Sequence, residues 1–316
     1  MPDLIDYDEF GLFHENAEEY GLPYGAPPVV RRTAVAVDGE RSLSALVWGE
    51  GPAELVLIHG GAQNAHTWDT VALALGVPLV ALDLPSHGHS DGSGRNGRSP
   101  HAFAEDVAAA VAVLAPDAKA VVGMSLGGLT SIALTDAHPA LVRKLVLVDI
   151  TPGVNGDKAK AIADFVKGPK TFPDFDALLA RTIEHNPTRT VASLRRGILH
   201  NAVQQADGSW VWRYQRDVVE HFADIDTPAS APAVVDPAAD PAQPAHAALW
   251  DAVGRITVPV LLCRGMLAQS VVDDDDVAEL RRRCPQADVI EFAQAGHSIQ
   301  GDMPIELAAA IRAFAL

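Results

Sequence analysis

Gly123, Ser125 and Gly127 alternate within the run Gly123-Met124-Ser125-Leu126-Gly127-Gly128. A serine hydroxyl is a poor nucleophile, so chemistry at Ser125 requires an exposed side chain with a base set beside it. A sharp strand-to-helix bend gives that exposure, and flanking glycines let neighbouring backbone pass without a Cβ clash. The same residues could form no more than a tight turn of small side chains. The context argues against this, because the apolar run Lys119–Val122 leads in and a helical pattern follows from Leu126. The N–H of Leu126, at the start of that helix, is placed to meet negative charge building on a substrate oxygen.

A second donor of that kind is expected near Gly61, in His59-Gly60-Gly61, directly after the apolar run Leu55–Ile58. His59 itself reads as a structural histidine shaping the loop. Gln63, Asn64 and His66 could line a pocket or simply be solvated. The base is expected at His297, in Ala295-Gly296-His297-Ser298, after the last strand and before the last helix. This follows the chain order nucleophile, acid, histidine. The acid has two candidates. Asp149 stands at the C-terminal end of a strand, where catalytic groups of an open sheet gather. Asp273 opens the run Asp273–Asp276, which reads as the capped first turn of a helix. Placement favours Asp149, whose task would be to fix the imidazole tautomer and stabilise the imidazolium. His87 and His89 lack partners at metal-ligand spacing and the remaining histidines read as solvated, so no metal is expected. No cofactor is expected either.

These residues need a scaffold of strands and helices in alternation. A hairpin is expected from Thr33–Val37 and Leu43–Trp48 around Asp38-Gly39. Leu55–Ile58, Pro78–Leu82, Ala118–Val122, Leu145–Val148, Val258–Cys263 and Val289–Phe292 follow as short apolar strands, most of them with helical segments between. The expected class is α/β, with a mostly parallel central sheet of about eight strands covered by helices on both faces. The alternation lapses between Thr151 and Ile256. That stretch reads as a helical cap inserted after strand six, with helices at Ala159–Val166, Phe175–Glu184 and Val191–Leu199. Trp210, Trp212 and Tyr214 in it are either pocket lining or cap core. The expected organisation is a lead-in over 1–30, irregular or weakly helical, a core of 31–150 and 257–316, and a cap of 151–256. The Pro/Ala/Asp-rich segment Thr227–Pro244 within the cap reads as a mobile loop.

Composition narrows the possibilities. The 316 residues suit one α/β core with an insertion, and 48% hydrophobic residues allow a large core. Lys and Arg number 24 against 41 Asp and Glu, a formal charge of −17, so no nucleic-acid partner is expected. Two cysteines, Cys263 and Cys284, make no disulfide framework. No basic and apolar leader opens the sequence, and no apolar run is long enough to span a membrane. A cytoplasmic location is expected.

The segments HGGAQNAHTWDT (59–70), LDLPSHGHS (82–90), VVGMSLGGLT (121–130), LVLVDITP (145–152) and AGHSIQGD (295–302) together resemble the α/β-hydrolase superfamily across the core. With SLRRGILHN (193–201) and SWVWRY (209–214) from the cap, the chain is similar to mycobacterial and actinobacterial serine esterases of this fold. The resemblance implies hydrolysis of a small-molecule carboxylic ester through Ser125, Asp149 and His297, with Gly61 and Leu126 as oxyanion donors. Many members of the superfamily carry the acid after the seventh strand, near a glycine like Gly265. This chain reads Gly265-Met266-Leu267-Ala268-Gln269-Ser270 there, with no carboxylate. A thioesterase or a C–C bond hydrolase could use the same residues, and a non-catalytic ligand receptor could be built on the same fold. Haloalkane dehalogenase and epoxide hydrolase chemistry would need a carboxylate where Ser125 stands.

Overall fold

The computed structural model describes residues 4–94, 97–154, 160, 164–215 and 243–316. Eight strands form the main sheet: β1 (Val30–Ala36), β2 (Ser42–Trp48), β3 (Leu55–Ile58), β4 (Leu79–Leu82), β5 (Ala120–Met124), β6 (Leu145–Val148), β10 (Val260–Gly265) and β11 (Ala287–Phe292). Their order is β1-β2-β4-β3-β5-β6-β10-β11. β2 is antiparallel to both β1 and β4; every later pairing is parallel. The expected strands fall within about three residues of these bounds.

Side chains alternate across a strand, so each apolar run feeds two cores. Val56, Ile58, Val121, Leu145 and Leu147 face helices α3 (Pro100–Leu114) and α4 (Leu126–Ala137). Leu55, Leu57, Val122, Val146 and Val148 face α2 (Asp69–Leu75) and the C-terminal helix Pro304–Ala315. Because both faces are covered, these strands read as continuous apolar runs rather than as alternating ones. The chain passes from β3 to β4 on one side and then returns to place β5 on the other. A crevice therefore opens where the C-terminal ends of β3 and β5 diverge, the usual place for a ligand in such a sheet.

Between β6 and β10 lie helices α5 (Phe175–His185) and α6 (Val191–Asn201), which take the expected positions. They do not stand alone. β7 (Thr171–Phe172), β8 (Ala202–Gln204) and β9 (Trp210–Trp212) make a small antiparallel sheet in the order β7-β9-β8. Trp210 belongs to this region's own core with Phe172, Leu178 and Ile198. The expected helix Ala159–Val166 and loop 227–244 fall largely outside the described residues; Gln243 and Pro244 open the helix Gln243–Arg255.

The N-terminal lead-in, expected to be irregular or weakly helical, holds one short helix and runs as a strap between the main sheet and the α5–α6 region. Helix α1 (Phe13–Glu19) buries Phe13 against Trp48, with ring centroids 4.9 Å apart. On the other side, Tyr7 and Leu12 pack on the cluster of Phe172, Leu178, Ile198 and Trp210. The Ile5 N–H donates to Gln204 Oε1 at 2.8 Å, and Glu19 pairs with Arg196 of α6. The Tyr20 hydroxyl donates to the carbonyl of Gly301 at 3.1 Å. Residues 5–20 thus tie the α5–α6 region to the main sheet.

Candidate active site

Ser125 sits between β5 and α4 with φ 51° and ψ −122°, a conformation that L-residues avoid and that persists only when its surroundings impose it. Close packing imposes it here. A Cβ on Gly127 would stand 2.3 Å from the carbonyl oxygen of Ile58, and one on Gly123 would stand 2.4 Å from the carbonyl oxygen of Gly127. Only glycine lets α4 press this tightly on the ends of β3 and β5. As the first helical residue, Leu126 has no intrahelical acceptor for its N–H.

The loop Gly60–Ala62 comes up beside the serine; a Cβ on Gly60 would meet Ser125 Cβ at 3.0 Å. Two buried histidines stitch this loop to the one after β4. The Leu84 N–H donates to His59 Nε2 at 2.9 Å, which leaves His59 Nδ1–H to donate to the Gly60 carbonyl at 2.7 Å. The Ala62 N–H donates to His87 Nε2 at 3.2 Å, and His87 Nδ1–H donates to the Pro85 carbonyl at 2.9 Å. Each ring has one donor and one acceptor in use, which requires the neutral form. Burial, aided by the neighbouring His59, pushes His87 down to about 3; burial also lowers His59. His87 is therefore not a solvated loop residue but a brace one position from Gly61.

Asp149 follows β6 at φ 47° and is fully buried. Its carboxylate accepts four hydrogen bonds. Gly265 N–H and the Ser270 hydroxyl donate to Oδ1 at 2.8 and 2.6 Å, and Val271 N–H and His297 Nδ1 donate to Oδ2 at 3.1 and 2.9 Å. The loop that carries the acid in many α/β hydrolases here supplies donors to an acid on the neighbouring strand. Asp273 is elsewhere employed. It caps helix Asp274–Arg283 by accepting from Asp276 N–H, while the Asp276 side chain accepts from Asp273 N–H. The other nitrogen of His297, Nε2, is buried without a hydrogen-bond partner.

Ser125, Leu126, Gly61 and His297 line one cavity of about 350 Å³, within the size range of ligand sites. Gln63, Asn64 and His66 line it too, as does Trp212 from the cap. Trp210 is buried in the cluster with Phe172, Leu178 and Ile198, and the Tyr214 ring packs beside Val166 and Trp212. Asn64 Nδ2 donates to the His200 carbonyl at 2.9 Å, another tie between core and cap.

His66, read as either pocket lining or solvated, and His200, expected to be solvated, are both buried in one network. His66 Nδ1 donates to Asp69 Oδ2 at 2.9 Å and Nε2 to Glu9 Oε1 at 3.1 Å. The His200 ring stacks on it at 3.8 Å, and Tyr7 bonds His200 Nδ1 at 2.6 Å. Ligating atoms of His66, Asp69 and His200 lie within 4.8 Å of one another, close enough to hold a metal ion. The rings, however, are parallel to within 9°, so their in-plane lone pairs do not converge.

Burial alone would lower His66, but the carboxylates of Asp69 and Glu9 outweigh it and lift the ring to about 9. In the unfolded chain it titrates near 6.5. The folded state thus holds an extra proton between those values. Its stabilisation is complete below pH 6.5 and is lost as pH rises through 9. Denaturation profiles should therefore show wild type losing about 1 kcal/mol per pH unit across this window relative to His66→Asn. Parallel profiles would contradict the assignment.

Comparison with known proteins agrees with this architecture. Residues 54–304 match the family model described as alpha/beta hydrolase fold. The chain is 40% identical over 317 residues to esterase Rv0045c of Mycobacterium tuberculosis, covering 98% of this chain and 96% of that protein. A crystal structure of that esterase superposes with a TM-score of 0.78 at 39% identity, over 98% of this chain and 99% of that one. Over a shorter region, 33% of this chain and 40% of the relative, it is 38% identical to a pimeloyl-[acyl-carrier protein] methyl ester esterase of Salmonella newport. The structure of E-2-(acetamidomethylene)succinate hydrolase has a TM-score of 0.74 at 23% identity, over 90% of this chain and 99% of that one, a likeness of fold alone.

Proposed function

The chain belongs to the α/β-hydrolase fold family, and from that premise we propose that it is a carboxylic-ester hydrolase acting through an acyl-enzyme on Ser125. The observation that carries the reading is the state of His297. One nitrogen is fixed on a fully buried carboxylate that three other donors hold still, and the other is unpartnered at the wall of the cavity that Ser125 enters.

In the proposed reaction, His297 Nε2 takes the proton of Ser125 as Oγ bonds to the ester carbonyl carbon. The carbonyl π pair moves onto oxygen, and the N–H groups of Leu126 and Gly61 receive that charge. Asp149 keeps the proton of His297 on Nδ1, so Nε2 is the basic nitrogen, and it balances the imidazolium that forms. Collapse breaks the bond to the alkoxy oxygen, which leaves with the proton from His297. Water, deprotonated by the same nitrogen, then releases the acid and restores Ser125. Each oxyanion donor is expected to contribute about 10²–10³ in turnover. His59 and His87 are positioning residues here, because they hold the loop that bears Gly61.

The high identity to a named esterase across nearly the whole chain also supports this reading. We place the cap at 151–256, on a core of 31–150 and 257–316, where it would set the selectivity of the pocket. Among the described residues no helix is long and apolar enough to cross a membrane. Wild-type protein should react covalently with a fluorophosphonate. It should also turn over a nitrophenyl ester faster than the matching thioester or a vinylogous diketone. A faster thioester or diketone reaction would move the assignment to a sister chemistry, and absence of labelling would leave a ligand receptor.

A further inference from the structure

In the loop beside Ser125, Ala62 has φ 61°, in the left-handed region that a residue with a Cβ keeps only where its surroundings impose it. Here they do so from three sides. The N–H donates to His87 Nε2 at 3.2 Å, the carbonyl accepts from Asn201 Nδ2 at 2.7 Å, and the methyl packs against Val166 and Tyr214. His87 belongs to the loop after β4, but the other three residues lie between β6 and β10. Asn201 is the last residue of α6.

Asn201 is itself fixed. The Arg213 N–H donates to its carbonyl at 2.9 Å, and Asn64 Nδ2 donates to its Oδ1 at 3.2 Å. Asn64 Nδ2 also donates to the His200 carbonyl at 2.9 Å, while Asn64 Oδ1 accepts from the His66 N–H at 3.0 Å. The two amides therefore have one consistent orientation. Turning Asn201 over would set an oxygen against the Ala62 carbonyl and an NH₂ against the NH₂ of Asn64.

The Asn201 bond reaches the oxyanion donor through two peptide planes. In a trans peptide the C=O and the N–H point in opposite directions. Holding the Ala62 carbonyl on Asn201 thus aims the Gln63 N–H the other way, and that N–H donates to the Gly60 carbonyl at 3.3 Å. Holding the Gly60 carbonyl in turn aims the Gly61 N–H away from it. Among the described residues no hydrogen bond uses the Gly61 N–H, which leaves it for a substrate oxygen. We infer that Asn201 is a positioning residue for the Gly61 oxyanion donor, so that the end of α6, outside the main sheet, sets the geometry in which the transition state is held. This rests on the esterase reading above. The effect belongs to the transition state rather than to the bound ester, because charge reaches the carbonyl oxygen only as Ser125 attacks.

The test is Asn201→Asp, which keeps the acceptor for Asn64 and sets an oxygen where the donor to Ala62 stood. With nitrophenyl butanoate as substrate and sites counted by fluorophosphonate titration, kcat per titrated site should fall about 10- to 100-fold while KM stays within about twofold. Inhibition by a trifluoromethyl ketone, which forms a tetrahedral adduct on Ser125, should weaken in step with kcat/KM. A merely structural role would reduce the number of titratable sites and leave kcat per site unchanged. A role in ground-state binding would raise KM and leave kcat unchanged. Either result overturns the inference and leaves the esterase reading intact. Should Asn201→Asp not fold, Asn64→Asp decides in its place. It keeps the acceptor for the His66 N–H and turns an oxygen on Asn201 Oδ1 and the His200 carbonyl, so a loss in kcat per site at constant KM is again expected, and an unchanged kcat per site overturns the inference. A wild type that neither titrates nor turns over the ester would overturn both readings.

Discussion

Ser125→Ala should lower kcat for a nitrophenyl ester by about 10⁴–10⁶ and abolish fluorophosphonate labelling, with little change in folding stability. The size follows from what is lost and what stays. In the proposed mechanism alanine removes the atom that would form the acyl bond, while the proposed oxyanion donors and the pocket persist and would still favour attack by water, leaving about 10³–10⁴ over the uncatalysed rate. Folding should change little because alanine keeps the Cβ that the φ 51° bend already accommodates. The Ser125 backbone remains free to accept from Gly128 and Leu129 N–H at 2.8 and 3.0 Å. A variant with near wild-type turnover would remove Ser125 from the mechanism. Lost activity accompanied by a collapsed melting transition would say only that the bend is structural.

Asp149→Asn should cost about 10⁴ in kcat, and Asp273→Asn should cost almost nothing. The contrast separates the two candidate acids. At Asp149, four donors converge on two oxygens. An asparagine offers one oxygen and an NH₂, so a donor must face a donor. If the amide turns its NH₂ toward His297, the ring is driven to the tautomer with its proton on Nε2, and it can no longer accept from Ser125. If the NH₂ turns the other way, it faces Gly265 N–H and the Ser270 hydroxyl. Leaving such a buried group unpaired costs about 1–3 kcal/mol, so a lower urea midpoint should accompany the lost rate. The backbone is not the obstacle, because asparagine tolerates positive φ well. At position 273 the side chain is a helix cap, a role in which Asn and Asp are nearly equal. The reverse pattern of rates would transfer the acid to the helix.

Much of the scaffold is legible in the sequence, because its signals are local. Apolar runs of four residues announce strands covered on both sides, and Gly123, Ser125 and Gly127 announce the bend. His297 is legible by its position after the last strand, and Asp149 by its position at a strand end. What escapes detection is non-local or too short to carry a pattern. β7, β8 and β9 have two or three residues each, so a period of two cannot declare itself, and Trp210 and Trp212 read as either pocket lining or core rather than as a strand. The donors that seat Asp149 come from positions 265, 270 and 271, and nothing in Ser270 or Val271 marks them for that role. His87 looks like a loop residue until Ala62 is seen bonded to it. His66 and His200 are 134 positions apart in the chain, and only tertiary packing stacks them.

The strap formed by residues 5–20 has a bearing on how the chain is made. It leaves the ribosome well before its partners do: Tyr7 waits for His200, Glu19 for Arg196 and Tyr20 for Gly301. Contacts of such separation form late, since a long loop must close before they repay its entropy. During synthesis Tyr7 and Leu12 must stay out of wrong pairings until the cluster of Phe172, Leu178, Ile198 and Trp210 that they pack on has been made. This segment would thus be among the last to dock, fastening the α5–α6 region to the main sheet once both exist.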